Sequence, residues 1–199
     1  MRSFWIAGAG LTALGVLAIA RGRTVRGRAH SPKASASMHT NARVDALDAF
    51  TDVVHVRPSL NELRILEAVA LHETTFGAGW KGEGAGSFNM GAIHATSAWT
   101  GDTFQATDTE PTSTGGATTY AQAFRKYASA VDGWKDLVRE LYLRRSTVRK
   151  AAASGNPLSV ARAMYATKYF RGQGATDDER IRGYAQALAD GLWEIDRNG

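Results

Sequence analysis

From residue 44 onward, apolar residues recur at helical spacing in separate blocks, interrupted once by a long polar stretch. Val44, Leu47, Phe50 and Val54 predict a first short helix over about 44–55, closed by Pro58. Ser59-Leu60-Asn61-Glu62 has the capping-box pattern, so a second helix starts there and runs to about Thr75, with Gly77 as terminator. Residues 77–119 are rich in Gly, Ser and Thr and lack helical periodicity. Short strands are expected around Thr103–Ala106 and where Thr118, Tyr120, Gln122 and Phe124 alternate with small or polar neighbours. Ser129 then caps a helix whose stripe is Val131, Trp134, Leu137, Val138, Leu141 and Tyr142. Asn156-Pro157 opens another, with Val160, Ala161, Met164 and Tyr165 on one face. Thr176 caps the last, which turns Ile181, Tyr184, Leu188, Leu192 and Ile195 inward. The expected architecture is mainly α, with a small β-rich lobe between helices, in one domain over 44–199.

The chain's start is different. Phe4 to Ala20 contains no charge, and 17 helical residues span about 25 Å, close to the shortest membrane crossing. Residues 1–20 are read as a hydrophobic helix that is either a single-span anchor or a signal segment cleaved near Ala18-Ile19-Ala20. Residues 21–43 are basic, small and Ser/Ala-rich, and are expected to form a flexible linker. This linker offers contacts to anionic lipid or to packaged DNA. Its arginines oppose the positive-inside rule if the domain faces the cell wall.

Overall composition, 44% hydrophobic and 22% charged, suits a folded domain. The net charge of +5 belongs to the arm: seven of the 24 basic residues and none of the 19 acidic ones lie in 1–44. The remaining 17 and 19 leave 45–199 at −2, which argues against a nucleic-acid-binding body. Without cysteine there is no disulfide, thiolate metal site or cysteine nucleophile. The histidines His55, His72 and His94 have no ligand spacing, so no metal is expected. The glycines at 77, 79, 82, 84 and 86 lack the Lys-Ser/Thr of a phosphate loop, so no cofactor is expected either.

One polar residue interrupts an apolar face. Leu63, Leu66, Ala70 and Glu73 follow one another at offsets of three, four and three, so Glu73 stands where a core leucine would be expected. Two roles fit that position. Glu73 is a cap or ion-pair residue at a helix end, or a carboxyl group whose lost hydration favours the neutral form that protonates a leaving oxygen.

The string His72-Glu73-Thr74-Thr75-Phe76-Gly77, followed by Ser87-Phe88-Asn89-Met90-Gly91-Ala92-Ile93, resembles the core of lysozyme-like N-acetylglucosaminidases and lytic transglycosylases that cut bacterial peptidoglycan. Phe124-Arg125-Lys126-Tyr127-Ala128-Ser129 and Tyr165-Ala166-Thr167 resemble two later elements of the glucosaminidases, so the likeness covers roughly 60–195. It implies that Glu73 is the general acid. It implies also that Asn89 and the backbone at Gly91 and Ile93 line the groove and hold an N-acetyl group, and that Tyr165 faces the catalytic centre. Where the family usually has Asp after its Y-A-T, this chain has Lys168. Asp108 and Glu110, in the β-rich lobe, are the candidates for a second acid; each is otherwise a turn residue. Trp80 and Trp99 are the candidate sugar-stacking rings. The implied partner is the peptidoglycan glycan strand. The implied activity is cleavage of β-1,4 bonds by a glucosaminidase or lytic transglycosylase, for local wall opening in envelope assembly or phage entry. The alternative is a non-catalytic glycan-binding or structural lysozyme-like protein. The expected location is membrane-anchored and facing the wall, virion-associated, or secreted after signal cleavage.

Overall fold

The computed structural model describes residues 34–111, 117–172 and 174–198, and the side chains of all of these except 108–111 and 117. The hydrophobic segment 4–20 and most of the expected linker lie outside the described residues. Among the described residues no helix is long and apolar enough to cross a membrane.

The described residues form six α-helices and one two-stranded sheet: α1 (Ala36–Val54), α2 (Leu60–Thr74), β1 (Thr103–Pro111), β2 (Ala117–Arg125), α3 (Ala130–Val138), α4 (Ser146–Ala153), α5 (Pro157–Ala166) and α6 (Asp177–Asn198). It is mainly α with a small β lobe, as the hydrophobic pattern predicts. Every expected N-cap is present, while α2 ends with Thr75 rather than Gly77 as its left-handed C-cap. Ser59 and Glu62 form a complete capping box at α2, Ser129 caps α3, and Asn156 caps α5 with Pro157 in the first turn. Thr176 accepts from the Glu179 amide while Glu179 accepts from the Thr176 amide, so α6 has its own capping box.

α1 departs from expectation. It starts at Ala36, so residues 36–43 are helical rather than linker, and Ser35 accepts from the Met38 amide as its cap. Its buried face is formed by His39, Ala42, Ala46, Ala49 and Phe50, while Val44 is exposed. Alanines let α1 lie close against α3 and α2, a packing that a search for large apolar residues overlooks.

α2 is the central helix, with Leu63, Ile65, Leu66, Ala68, Val69 and Ala70 all buried. α6 crosses it where Gly191 approaches Ala68, and α6 also packs on α5. Glu67 is buried within α2 and takes a two-pronged bond from Arg43 of α1. Burial pushes its carboxyl above the ordinary range, and Arg43 opposes this.

The main core gathers the helices. A second, smaller core of Trp80, Ala92, Phe104 and Phe124 holds the β lobe. β1 and β2 pair antiparallel, with Phe104 opposite Phe124 and Asp108 opposite Tyr120. Between α3 and α4 the chain makes a π-helical turn over Arg139–Leu143, which places Glu140 beside Arg144 and Arg145.

Candidate active site

Glu73 sits in the last turn of α2 and is half-buried, at the edge of the core rather than inside it. The Tyr184 hydroxyl of α6 donates to its Oε1 at 2.7 Å. Immediately after it the backbone turns left-handed three times, at Thr75 (φ 51°), Phe76 (φ 54°) and Gly77 (φ 79°). Only the third is a glycine, so the turn is strained and must be held from outside. The buried Thr74 holds it: its hydroxyl donates to the Met90 carbonyl at 2.9 Å and accepts from the Gly77 amide at 2.9 Å. The end of α2 and the segment after Ser87 are thereby locked together, which fixes where Glu73 points.

Aromatic rings extend from Glu73 along α6 and α5. Tyr184 stacks on Phe170 with centroids 4.0 Å apart, and Phe170 meets Tyr165 edge-on at 5.6 Å. His72 meets the same Tyr184 ring edge-on at 5.1 Å, so His72 and Glu73 both touch Tyr184 despite pointing to different sides of α2. Tyr165 is half-buried; its hydroxyl donates to Asp177 at 2.6 Å and accepts from Arg180 at 3.5 Å. Tyr165 thus reaches Glu73 through two intervening rings, and its own proton is occupied by Asp177.

Asn89 is wholly buried and makes three bonds to backbone. Its amide donates to the carbonyls of Ile93 and Arg125, each at 2.9 Å, and its carbonyl accepts from the Ile93 amide at 2.8 Å. With its capacity nearly filled, Asn89 shapes the loop and fastens it to β2. The resemblance implies that Asn89 lines the groove; instead it is buried and turned to backbone, and the Ile93 amide is already taken by it. Trp80 also departs from expectation. It is buried between Phe104 and Phe124 and donates to the Asn89 carbonyl at 3.0 Å, so it is a core residue of the β lobe and no exposed sugar platform.

Gly91, Ile93 and Trp99 do share a cavity. It has a volume of about 630 Å³ and is walled on the other side by the π-helical turn and by Lys168 and Tyr169. Trp99 is half-buried there, with Arg125 over its ring at 4.9 Å. Two connections tie the cavity to Glu73. Thr74 bonds Met90, the residue before Gly91, and the Tyr169 hydroxyl donates to the Gly91 carbonyl at 3.0 Å beside Phe170 of the ring series. The backbones of Asp108 and Glu110 lie in β1, opposite Tyr120 and Thr118; their side chains are outside the described ones. Among the described residues no three His, Asp or Glu side chains converge as a metal would require.

Arg125 and Tyr127, from the Phe124–Ser129 motif, both donate to Asp136 of α3, at 2.7 and 2.5 Å. Burial, reinforced by the Asp136 charge, pushes the Tyr127 phenol far above its ordinary range. The motif is the clasp between the β lobe and the helices. In the sequence Tyr184 is one more inward-facing position on α6; a buried hydroxyl that requires a partner is the one signal that it meets a polar group.

No protein-family model matches the sequence, and no curated protein matches it. Solved structures do. A peptidoglycan hydrolase mutant from Sphingomonas sp. A1 superposes with a TM-score of 0.61 at 21% identity, covering 83% of this chain and 100% of that one. The glycoside hydrolase domain of Salmonella typhimurium FlgJ gives 0.53 at 21% identity, over 81% and 87%. The catalytic domain of the autolysin Auto from Listeria monocytogenes gives 0.53 at 16% identity, over 86% and 90%. At such identities the likeness is one of fold: this chain shares the fold of these solved hydrolase structures.

Proposed function

We propose that this chain is a peptidoglycan glycosidase that cleaves β-1,4 bonds of the glycan strand, with Glu73 as the general acid. The observation that carries the reading is the Glu73–Tyr184 pair. A carboxyl group in the last turn of α2 is oriented by the hydroxyl of a buried tyrosine and followed by a strained turn, which Thr74 bonds to Met90, the residue before the cavity-lining Gly91. The resemblance to peptidoglycan hydrolases in sequence motifs and in fold supports the choice of substrate.

In this mechanism the Glu73 carboxyl protonates the glycosidic oxygen as the bond opens through an oxocarbenium-like transition state. Tyr184 holds Oε1, leaving Oε2 to face the leaving oxygen. The second step follows one of two routes. Water attacks with help from a carboxylate of the β lobe, Asp108 or Glu110, or the muramic 6-hydroxyl attacks and Glu73 takes back the proton.

The test is digestion of purified peptidoglycan by the full chain and by Glu73→Gln, with mass spectrometry of the released fragments. Wild type should release fragments and Glu73→Gln should be slower by about 10²–10⁴-fold. Reducing-end GlcNAc identifies a glucosaminidase, anhydromuramic ends a lytic transglycosylase, and reducing-end muramic acid a muramidase. Equal release by both proteins would remove Glu73 from the mechanism. No release by either, with retained sedimentation on the wall, would leave a glycan-binding module.

A further inference from the structure

The cavity that holds Gly91, Ile93 and Trp99 is not electrically neutral. Four cationic side chains, Arg125, Arg144, Arg145 and Lys168, face two anionic ones, Asp136 and Glu140. The two carboxylates are fully engaged within the cluster: Asp136 by Arg125 and Tyr127, Glu140 by Arg144 and Arg145. The excess of two positive charges therefore falls on the cavity, and low-dielectric walls concentrate its field.

Two of the cations are set for a ligand. Arg145 is fixed by donation from Nη1 to the Glu140 carbonyl and carboxylate, at 2.6 and 2.8 Å, and its guanidinium lies over the Tyr169 ring at 5.4 Å. Its Nε donates to the Thr167 carbonyl at 3.4 Å, which leaves Nη2, held in place by the other two nitrogens, as the donor with no bond to the described residues. Lys168 is exposed and has no acidic partner among the described residues. It follows α5 in a left-handed conformation, φ 58°, a strained position for a lysine. The π-helical turn that brings Glu140, Arg144 and Arg145 to the cavity wall is itself a departure from regular helix of the kind concentrated at functional sites.

We infer that this cavity is a subsite for a carboxylate carried on the muramic side of the glycan, with Lys168 and Arg145 as its recognition residues and Arg144 as a supporting charge. The proposal rests on the glycan-cleaving reading for the substrate class and adds what distinguishes murein from a neutral N-acetylglucosamine polymer. The carboxylate belongs either to the lactyl group of muramic acid or to the peptide stem attached to it.

The test is calorimetric binding to the full chain of three tetrasaccharides: N-acetylglucosamine alone, peptide-free murein glycan, and murein glycan bearing peptide stems. Wild type is expected to bind a carboxylate-bearing ligand about tenfold tighter than the neutral one, with an advantage that shrinks as salt is raised. Lys168→Asp should lose that advantage and keep the neutral affinity, because aspartate tolerates the left-handed backbone, while Lys168→Arg should retain it. Preference for the peptide-free glycan over the neutral one assigns the lactyl carboxylate; preference confined to the stem-bearing glycan assigns the peptide. Equal affinity of wild type for all three, or a Lys168→Asp loss that includes the neutral ligand, overturns the proposal. Binding is read without turnover. A chain that discriminates the ligands but releases no fragments would retain this subsite and lose the glycosidase reading, and one that cleaves without discriminating would do the reverse.

Discussion

At the scale of single residues, Glu73 and Tyr184 act as one unit. The Tyr184 ring is fixed by its stack on Phe170, so the hydroxyl meets Glu73 Oε1 without searching for it. Tyr184→Phe keeps that stack and removes only the hydroxyl. A hydrogen bond to a charged or reacting carboxyl contributes roughly 1.5–3 kcal/mol, so kcat on peptidoglycan should fall about 10–100-fold while the thermal midpoint moves little. A midpoint drop as large as the rate loss would mean that the tyrosine serves the fold alone. The sequence shows Glu73 because an acid interrupts an apolar face. It does not show Tyr184, because a tyrosine among inward-facing positions looks the same whether its hydroxyl meets water, a carbonyl or a carboxyl group. Asn89 is the converse: its motif is visible in the sequence, yet only its burial and three backbone bonds show that it holds the loop in shape.

At the scale of elements, caps and connections decide how accurately α2 delivers Glu73. Ser59 accepts from the Glu62 amide, and Glu62 accepts from the Ser59 amide at 2.8 Å and from Arg149 of α4 at 2.8 Å. Burial pushes the Glu62 carboxyl up, but the bonds from Arg149 and Ser59 together outweigh it and leave it below its ordinary value of 4.5. A carboxyl lowered in the folded state stabilises the fold above pH 4.5 and loses that contribution as pH falls through the folded value. Glu62→Gln should therefore cost about 1 kcal/mol near neutral pH and flatten the decline in stability between pH 4.5 and acid. Urea melts at pH 7 and pH 3 check this; an equal deficit at both would contradict the sign. Gly133 shows how close another element lies: a Cβ there would sit 1.8 Å from the Phe88 carbonyl, so α3 touches the loop after Ser87 backbone to backbone. In the sequence that glycine looks like a weak point in a helix. Its reason lies in a neighbour distant along the chain.

For the whole molecule, the consequential feature is the division into two cores. The helical core carries Glu73 and Tyr184. The small core of Trp80, Ala92, Phe104 and Phe124 carries the β lobe, and the Arg125–Asp136–Tyr127 clasp joins them. Trp80→Ala empties the centre of the smaller core, a change that typically costs 3–5 kcal/mol. Hydrogen exchange should then show β1 and β2 losing protection while α2 and α6 keep theirs, with activity falling through a misplaced cavity wall. Uniform loss of protection across the chain would mean that the two cores melt as one.

The sequence by itself determined α2, α3, α5 and α6 with their N-caps, the site of the β hairpin and the carboxyl on the apolar face, because spacing and capping are local and need no partner to be read. It did not separate α4 from α3 or show the π-helical turn between them. It determined α1 only in part, since a face built of alanines leaves little hydrophobic signal. The tertiary structure alone decided that Trp80 is buried, that Asn89 faces backbone, that Tyr184 meets Glu73, and that Lys168, Arg144 and Arg145 gather around one cavity. Each of these depends on what a side chain meets across the fold, and contacts between residues distant in the chain leave no periodic trace in the order of the amino acids.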